Sequence, residues 1–511
     1  MFYRLPFVKF FSRILNRVTV TVILVALQLL WLCWVFFAIT TGTGRVWVNG
    51  VLNALSLLII LYLVRKDENS AYKVGWIALI GILPLLGGAL YLAFGNKRPS
   101  RRLRLKMQAV DDAHKKDLAQ QPGPADTLDA RGLGQSRYVA KYGPYPAWQN
   151  TRTQYFSCGE AMYPQLLADL EKAEKTIFLE FFIVSHGYMW NGIEKILRRK
   201  AAQGVDVRLI YDDFGSLLGL PTDFVVRMER AHIRCIPFNP VVPLLSLVMN
   251  HRDHRKIVVI DGRVGFFGGM NIADRYVKGP GWGVWRDSHF KVEGKGVYGL
   301  QSAFLVDWST VERVHLDTSK FFPEADNYTS STMQFATSGP LGPWRTLLQG
   351  IMTAIAGARR SICIQTPYFL PTEGLNSLLQ TAALGGIDVQ LMLPERSDSR
   401  IIDKAVHSFI DDMLRAGVKV YFYTKGFLHA KMLIVDDLLT VVGSANMDFR
   451  SFEHNFEINA FVYGQDFNTA MRRVFDEDLR SCRRLIPSEW LRRPLPQRLS
   501  ESFMRLFSPL L

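Results

Sequence analysis

Residues 250–271 read NHRDHRKIVVIDGRVGFFGGMN, and residues 427–448 read FLHAKMLIVDDLLTVVGSANMD. Both fit the pattern H-x-K-x4-D-x6-G-x2-N, through His254, Lys256, Asp261, Gly268 and Asn271 in the first copy and His429, Lys431, Asp436, Gly443 and Asn446 in the second. Five fixed residues at about one in twenty each make a chance match in such a chain on the order of one in ten thousand. Two matches mark a duplication. Each lies in a β-rich stretch, where residues two apart share a face, so His254 projects with Lys256 and His429 with Lys431.

The duplication extends upstream. LLADLEKAEK (166–175), apolar at helical spacing, runs into the strand-like TIFLEFFIV (176–184); LLQGIMTAIAGARR (347–360) runs into SICIQTPYF (361–369) in the same order. A second helix and strand follow in both copies, IEKILRRKAAQGVDVRLIY (193–211) and LNSLLQTAALGGIDVQLML (375–393), with the GVDV at Gly204 answering the GIDV at Gly386. This alternation predicts an α/β fold built twice, each copy a mostly parallel sheet flanked by helices. The copies are expected over 151–320 and 321–485, and a pseudo-twofold relating them would bring both His/Lys pairs to one seam.

Two imidazoles and two ammonium groups facing one another suit a phosphodiester. One His can attack phosphorus while the other protonates the leaving oxygen, and two Lys with two Asn offset charge on the equatorial oxygens. These cationic side chains supply the electrostatics that a metal would otherwise bring, so no metal or other cofactor is expected. An imidazole nucleophile works best when a carboxylate holds its second nitrogen. Asp287, in VWRDSHF, lies 33 residues after His254, and Glu457, in EHNFEIN, lies 28 after His429; they are expected to orient those respective histidines.

The paired motifs resemble the phospholipase D superfamily. GSANMDFRSFEHNFE, TPYFLP, GGMNIADRY followed by WRDSH, the segment SAYKVGWIALIGILPLLGGALYLAFGNK and the terminal SPLL resemble the bacterial-type cardiolipin synthases, over nearly the whole chain from about Val46. The resemblance implies two phospholipase D-like lobes. It implies that two phosphatidylglycerols give cardiolipin and glycerol through a phosphatidyl-histidine, with His254 as nucleophile and His429 as acid and then base. It carries catalytic motif roles to His254, Lys256, Asp261, His429, Lys431 and Asp436, with Asn271, Asn446, Asp287 and Glu457 in support and Tyr368 of TPYFLP at the pocket. Hydrolysis with water as acceptor, or cleavage of nucleic acid, would use the same histidines and stands as the alternative.

Blander readings attach to several of these residues. Asp261 before Gly262 is also an ordinary hairpin-turn signal, and that structural reading outweighs direct catalysis for it and for Asp436. His251 and Asp253 lie beside His254 but outside the repeat, and His186, His232, His289, His315 and His407 have no counterpart; all read as structural.

Charge and hydropathy place this body beside a membrane. The 511 residues hold 61 Lys+Arg against 46 Asp+Glu, a formal charge of +15, with 49% hydrophobic residues. No Asp, Glu, Lys or Arg occurs at 18–44, 46–64 or 74–96. Residues 1–96 therefore read as a retained anchor with spans at about 18–41 and 46–64 and a third apolar segment, 74–96, that spans or re-enters. Pro84, Gly87 and Gly88 favour a kink there. Basic clusters at Arg4–Arg17 and Lys97–Lys106 put both flanks, and with them the catalytic body, on the cytoplasmic side of a multi-pass cell-membrane protein. Five cysteines without CxxC spacing fit a reducing compartment. Residues 97–150, broken by QQPGPAD and YGPYP, read as a linker, and 486–511, with Trp490, Leu491, Phe503, Leu506 and Phe507 among arginines, as an interfacial segment. The expected partners are phosphatidylglycerol and anionic membrane lipid. Nucleic acid is not expected, because the apolar spans and lipid-like termini account for the charge.

Overall fold

The computed structural model describes residues 45–66, 70–95, 128–143, 145–241, 251–277, 284–312, 319–326, 331–340, 345–436 and 438–509, with a few isolated positions besides. They fall into two compact units, one holding the described N-terminal residues to Gly95 together with 239–241 and His251, the other the large body.

In the N-terminal unit α1 (Arg45–Arg65) is followed by α2 (Ser70–Ile82) and α3 (Pro84–Phe94). Pro84 starts α3 and ends α2, since its ring admits no helical hydrogen bond at that point. The two short helices fold back on each other: Trp76 meets Tyr91 edge to face at 5.4 Å, and the Tyr72 hydroxyl donates to the Gly95 carbonyl at 3.3 Å. Among the described residues Leu63, Tyr72, Ile80 and Tyr91 are covered, while Trp47, Val51, Leu55, Leu58 and Leu61 of α1 are exposed. Among the described residues no helix is long and apolar enough to cross a membrane. The span expected at 18–41 lies largely outside the described residues, as does the linker from 97 to 127.

The large body begins with α4 (Ala130–Tyr142), capped by the Asp129 carboxylate, so the later part of the expected linker is ordered chain. Its first lobe runs β1 (Ala147–Phe156), α5 (Gly159–Glu171), β2 (Thr176–Phe181), α6 (Tyr188–Ala202), β3 (Asp206–Asp212), α7 (Phe224–Glu229) and β4 (Arg234–Phe238), then β5 (Lys256–Ile260), β6 (Val264–Gly268), β7 (Val284–Arg286), β8 (His289–Gly294) and α8 (Val297–Glu312). The second runs β9 (Ser331–Ser338), α9 (Thr346–Ala356), β10 (Ser361–Gln365), β11 (Phe369–Leu370), α10 (Glu373–Leu384), β12 (Asp388–Pro394), α11 (Arg400–Arg415), β13 (Lys419–Tyr423) and β14 (Gly426–Leu428). It continues through β15 (Met432–Val435), β16 (Leu439–Gly443), β17 (Met447–Asp448), α12 (Phe449–Glu453), β18 (Glu457–Tyr463) and α13 (Gln465–Leu479). β19 (Cys482–Arg484), α14 (Pro487–Trp490) and α15 (Leu495–Arg505) complete it.

One sheet carries both lobes in the order β19-β13-β12-β10-β15-β16-β18-β9-β1-β8-β6-β5-β2-β3-β4. Apart from β19 the order is a palindrome, with β9 against β1 at its centre, which is the pseudo-twofold that the repeat implies. The expectation of mostly parallel sheets is corrected: only β2-β3-β4 and β10-β12-β13 are parallel, and every other neighbour in this sheet is antiparallel. Helix-strand alternation describes only the first half of each repeat. The second half is the motif hairpin, β5-β6 or β15-β16, whose short turn forces antiparallel pairing, and a strand, β8 or β18, that returns antiparallel after a longer connection. One core cluster draws Phe178, Phe267 and Phe290 from one lobe and Met432, Ile434 and Ile458 from the other and so joins the lobes, while two further clusters lie mainly within the second and the first lobe.

Candidate active site

Backbone pairing between the lobes builds the site. The chain entering each motif histidine runs alongside the chain entering the other lobe's carboxylate. β14, ahead of His429, pairs in parallel with β7, ahead of Asp287, and the His429 amide donates to the Arg286 carbonyl at 2.6 Å. In the mirror position Asp253 bridges Phe456, and the His254 amide donates to the Phe456 carbonyl at 2.9 Å.

The carboxylates consequently serve the opposite lobes. His254 Nδ1 lies 2.9 and 3.1 Å from the Glu457 carboxylate oxygens, and His429 Nδ1 lies 2.6 Å from Asp287 Oδ2. The pairing of each carboxylate with its own motif's histidine is thus corrected. Within a lobe the histidine leads into one strand, β5 or β15, and the downstream acid lies at or just ahead of the start of another, β8 or β18, with β6 or β16 between them, and the facing lobe brings the acid within reach. All four side chains are buried.

Burial drives His254 down to about 4, against the pull of Glu457 and with Lys256 and Lys431 pushing the same way. Burial and then Lys431 bring His429 to about 3 despite Asp287. Both rings are therefore neutral near pH 7, each donating Nδ1–H to its acid and leaving the Nε2 lone pair available. Burial alone would raise Glu457 and Asp287; their histidine and lysine neighbours hold both below the usual carboxylate range. Lys256 and Lys431, buried beside them, are lowered to about 7 and about 8, first by burial, and each feels both carboxylates. Each ammonium donates to the backbone carbonyl of the histidine two residues before it.

The other motif residues hold the frame. Asp261, at the far end of β5, accepts from the amides of Glu174, Lys175 and Thr176 at 2.7–2.8 Å. Asp436 does the same with Arg359, Arg360 and Ser361 at 2.8–3.0 Å and also accepts from Arg131 at 2.8 Å. Both take left-handed backbone, φ 52° and 51°, in the hairpin turn. The structure therefore separates these two aspartates from the histidines by a full strand, and the structural reading accounts for them. Gly268 and Gly443 are glycine because a side chain there would come within 2.3 Å of the Ser288 or Ile458 carbonyl. Asn271 accepts from the Ile183 amide at 3.0 Å and donates to the Tyr276 hydroxyl at 2.9 Å; Asn446 donates to Asp448 at 3.0 Å. Tyr368 donates to Asp398 at 2.9 Å and packs against the first lobe's apolar cluster, with burial raising its hydroxyl pKa.

Several neighbours escaped the sequence reading. Ser444 donates to Glu457 at 2.5 Å, whereas its counterpart in the first copy is Gly269, where a Cβ would collide with Asp287. Phe182 packs edge-on to His254 at 4.9 Å, and Trp285 and Phe427 flank His429 at 5.4 and 5.8 Å. Both phenylalanines and the tryptophan read as core in the sequence, where nothing separates a wall of the site from the interior.

The lobes also differ beneath the histidines. Glu180 of β2 and Gln365 of β10 occupy equivalent strand positions. Gln365 donates to Asp478 at 2.7 Å, and Asp478 takes both arms of Arg286 at 2.7 and 2.8 Å. Glu180 is fully buried, finds no hydrogen-bond donor, lies 3.7 Å from Arg255 and faces the Asp253 carboxyl. Burial and then Asp253 raise Glu180 well above the carboxylate range, and burial raises Asp253 as well.

Each lobe carries a match to the family described as cardiolipin synthase, PLD-like domain, at residues 166–280 and 351–479, and residues 51–96 match the family described as phospholipase D-nuclease N-terminal. A cardiolipin synthase of Geobacillus kaustophilus is 37% identical over 489 residues, covering 93% of this chain and 97% of that protein. The major cardiolipin synthase ClsA of Bacillus subtilis is 34% identical, covering 90% of this chain and 98% of its own. Among solved structures, a phosphatidylserine synthase of Haemophilus influenzae shares the fold, with a TM-score of 0.57 at 15% identity over 74% of this chain and all of that one.

Proposed function

Because the chain belongs to the cardiolipin synthase family, with its paired phospholipase D-like domains, we propose that it joins two phosphatidylglycerol molecules into cardiolipin and releases glycerol through a phosphatidyl-histidine. Membership makes it a phosphatidyltransferase acting on phospholipid. The observation that carries the finer reading is the crossed pair of dyads: two neutral imidazoles, each oriented by the other lobe's carboxylate, beside two lysines.

In the first half-reaction His254 Nε2 attacks phosphorus, the bond from phosphorus to the headgroup glycerol oxygen breaks, and His429 gives that oxygen a proton. The substrate's negative charge beside Lys256 and Lys431 offsets the two ammonium groups that depress His429, so binding loads the acid with its proton. In the second half-reaction His429 takes the proton of a second phosphatidylglycerol's headgroup hydroxyl. Its oxygen then attacks phosphorus and the phosphorus–nitrogen bond breaks. Lys256 and Lys431 stabilise the charge on the equatorial oxygens in both steps.

The exposed apolar residues of α1 and the α2-α3 hairpin support attachment to a membrane, with the third apolar segment re-entering and the body on the cytoplasmic side. Incubating the enzyme with phosphatidylglycerol alone tests the reaction by mass spectrometry. Cardiolipin and glycerol in equal amounts are expected; phosphatidic acid alone would assign hydrolysis instead.

A further inference from the structure

The C-terminal helix α15 is docked inside out. An amphipathic helix on a globular surface turns its apolar stripe to the body, but α15 meets α11 largely through charge, with Met504 packed against the second lobe's apolar cluster. Glu501, 2% exposed, accepts from Arg493 at 2.7 Å and from Gln497 at 3.0 Å. Arg493 also reaches Asp411 at 3.0 Å and stacks 3.7 Å over the Trp490 ring, while Arg505 pairs with Asp412 at 2.8 Å over Phe409. The apolar side chains face outward instead: Leu495 is 65% exposed, Leu499 60%, Phe503 56% and Leu506 54%. Their spacing of four, four and three residues makes one stripe.

Burying the Glu501 carboxylate, half-covering its charged neighbours and exposing four large apolar groups is the costly arrangement in water, so the stripe has an apolar partner. Charge identifies which. Residues 480–511 hold seven arginines against Glu489 and Glu501, and among them Arg484 and Arg492 are exposed. A second copy of this chain would oppose like charge to like charge, whereas an anionic phospholipid surface is complementary to both the arginines and the stripe. We propose that the Leu495–Leu499–Phe503–Leu506 face of α15 seats in the interfacial layer of an anionic bilayer, as a membrane contact of the body separate from the N-terminal helices.

Photocrosslinking in the full-length protein tests this. p-Benzoylphenylalanine replaces Leu499, or in a second variant Leu495, with Lys172 of the first lobe as an exposed control, in vesicles of phosphatidylglycerol and phosphatidylcholine. Phospholipid adducts at 495 and 499, at least fivefold above those at 172 and reduced several-fold in pure phosphatidylcholine, are expected. Protein–protein crosslinks from 495 and 499, or lipid adducts no more abundant than at 172, would overturn the proposal.

Discussion

Glu457 of the second lobe holds Nδ1 of His254 in the first at 2.9 Å, and Asp287 of the first lobe returns the contact to His429 of the second. Neither lobe contains a complete dyad. The two copies of the motif are therefore halves of one site, and the shared core that fixes the lobes together is part of the catalytic geometry. The crossing also decides which ring each acid orients: with His254 as nucleophile, Glu457 orients the attacking ring and Asp287 the ring that serves as acid and base.

Glu457→Gln should slow formation of the phosphatidyl adduct, because it disturbs the orientation of the attacking ring, and Asp287→Asn should slow both protonation of the leaving oxygen and adduct resolution, so that its adduct persists. Each is expected to lose about 10- to 1000-fold in turnover, less than removal of the histidine itself. Rapid-quench trapping with labelled phosphatidylglycerol separates the two steps. An adduct that never forms in Asp287→Asn but forms and persists in Glu457→Gln would mean that the histidine roles are reversed.

His254→Ala should form no adduct, and His429→Ala should form one slowly and keep it, since only the second half-reaction needs a base. Both should lose orders of magnitude in turnover. Peptide mapping of the trapped protein is the check: a label on His429 in the His254→Ala protein reverses the assignment, and a label on neither removes the covalent mechanism.

The motif spacing made the histidines, the lysines and the duplication legible, because alternation along a strand is a local property. Which acid meets which histidine was not legible, since Glu457 reaches His254 only through the pairing of chain 202 to 203 residues apart. Sheet polarity failed for a related reason: the parallel half of each lobe announces itself by helix-strand alternation, while β8 and β18 return without any local signal. Ser444 sat inside the quoted motif but entered it only as an unspecified position. Its role is visible once Gly269 is seen to leave no room for a side chain beside Asp287.

The pH dependence of kcat/KM should fall on the alkaline side. Lys256 and Lys431 lose their protons in the free enzyme near about 7 and about 8, and the neutral amines no longer offset the phosphodiester's charge. His254 stays neutral down to about 4, so no acid limb is expected above pH 5. Activity in mixed micelles from pH 5 to 9.5 tests both statements, and a profile still rising at pH 9 contradicts the first. Lys256→Arg, although poorer at every pH because its fork differs in shape, should lose part of the alkaline fall.

Asp436→Asn should cost stability more than chemistry. The carboxylate accepts three backbone amides and Arg131, and weakening them is worth about 1–3 kcal/mol, or a few degrees of Tm. Burial alone would raise this carboxyl, but those partners lower it, so its contribution is present above the unfolded value of about 3.9 and is lost as pH falls through the folded one. The gap in Tm between wild type and variant should therefore shrink below pH 4. A variant with unchanged Tm and abolished turnover would place Asp436 in the chemistry after all.

Glu180→Gln tests the buried asymmetry between the lobes. Gln365 already fills the equivalent place in the second lobe, so the amide fits the fold. The wild-type carboxyl is raised in the folded state, so the stability tied to its proton is complete below the unfolded value of about 4.3 and drains away as pH rises through the folded value. The glutamine has no proton to lose. Melting curves at one scan rate in detergent should show similar Tm values near pH 4 and an advantage of a few degrees for Glu180→Gln by pH 8. If the advantage is absent or shrinks with rising pH, Glu180 is ionised in the folded protein and Arg255, 3.7 Å away, compensates its charge.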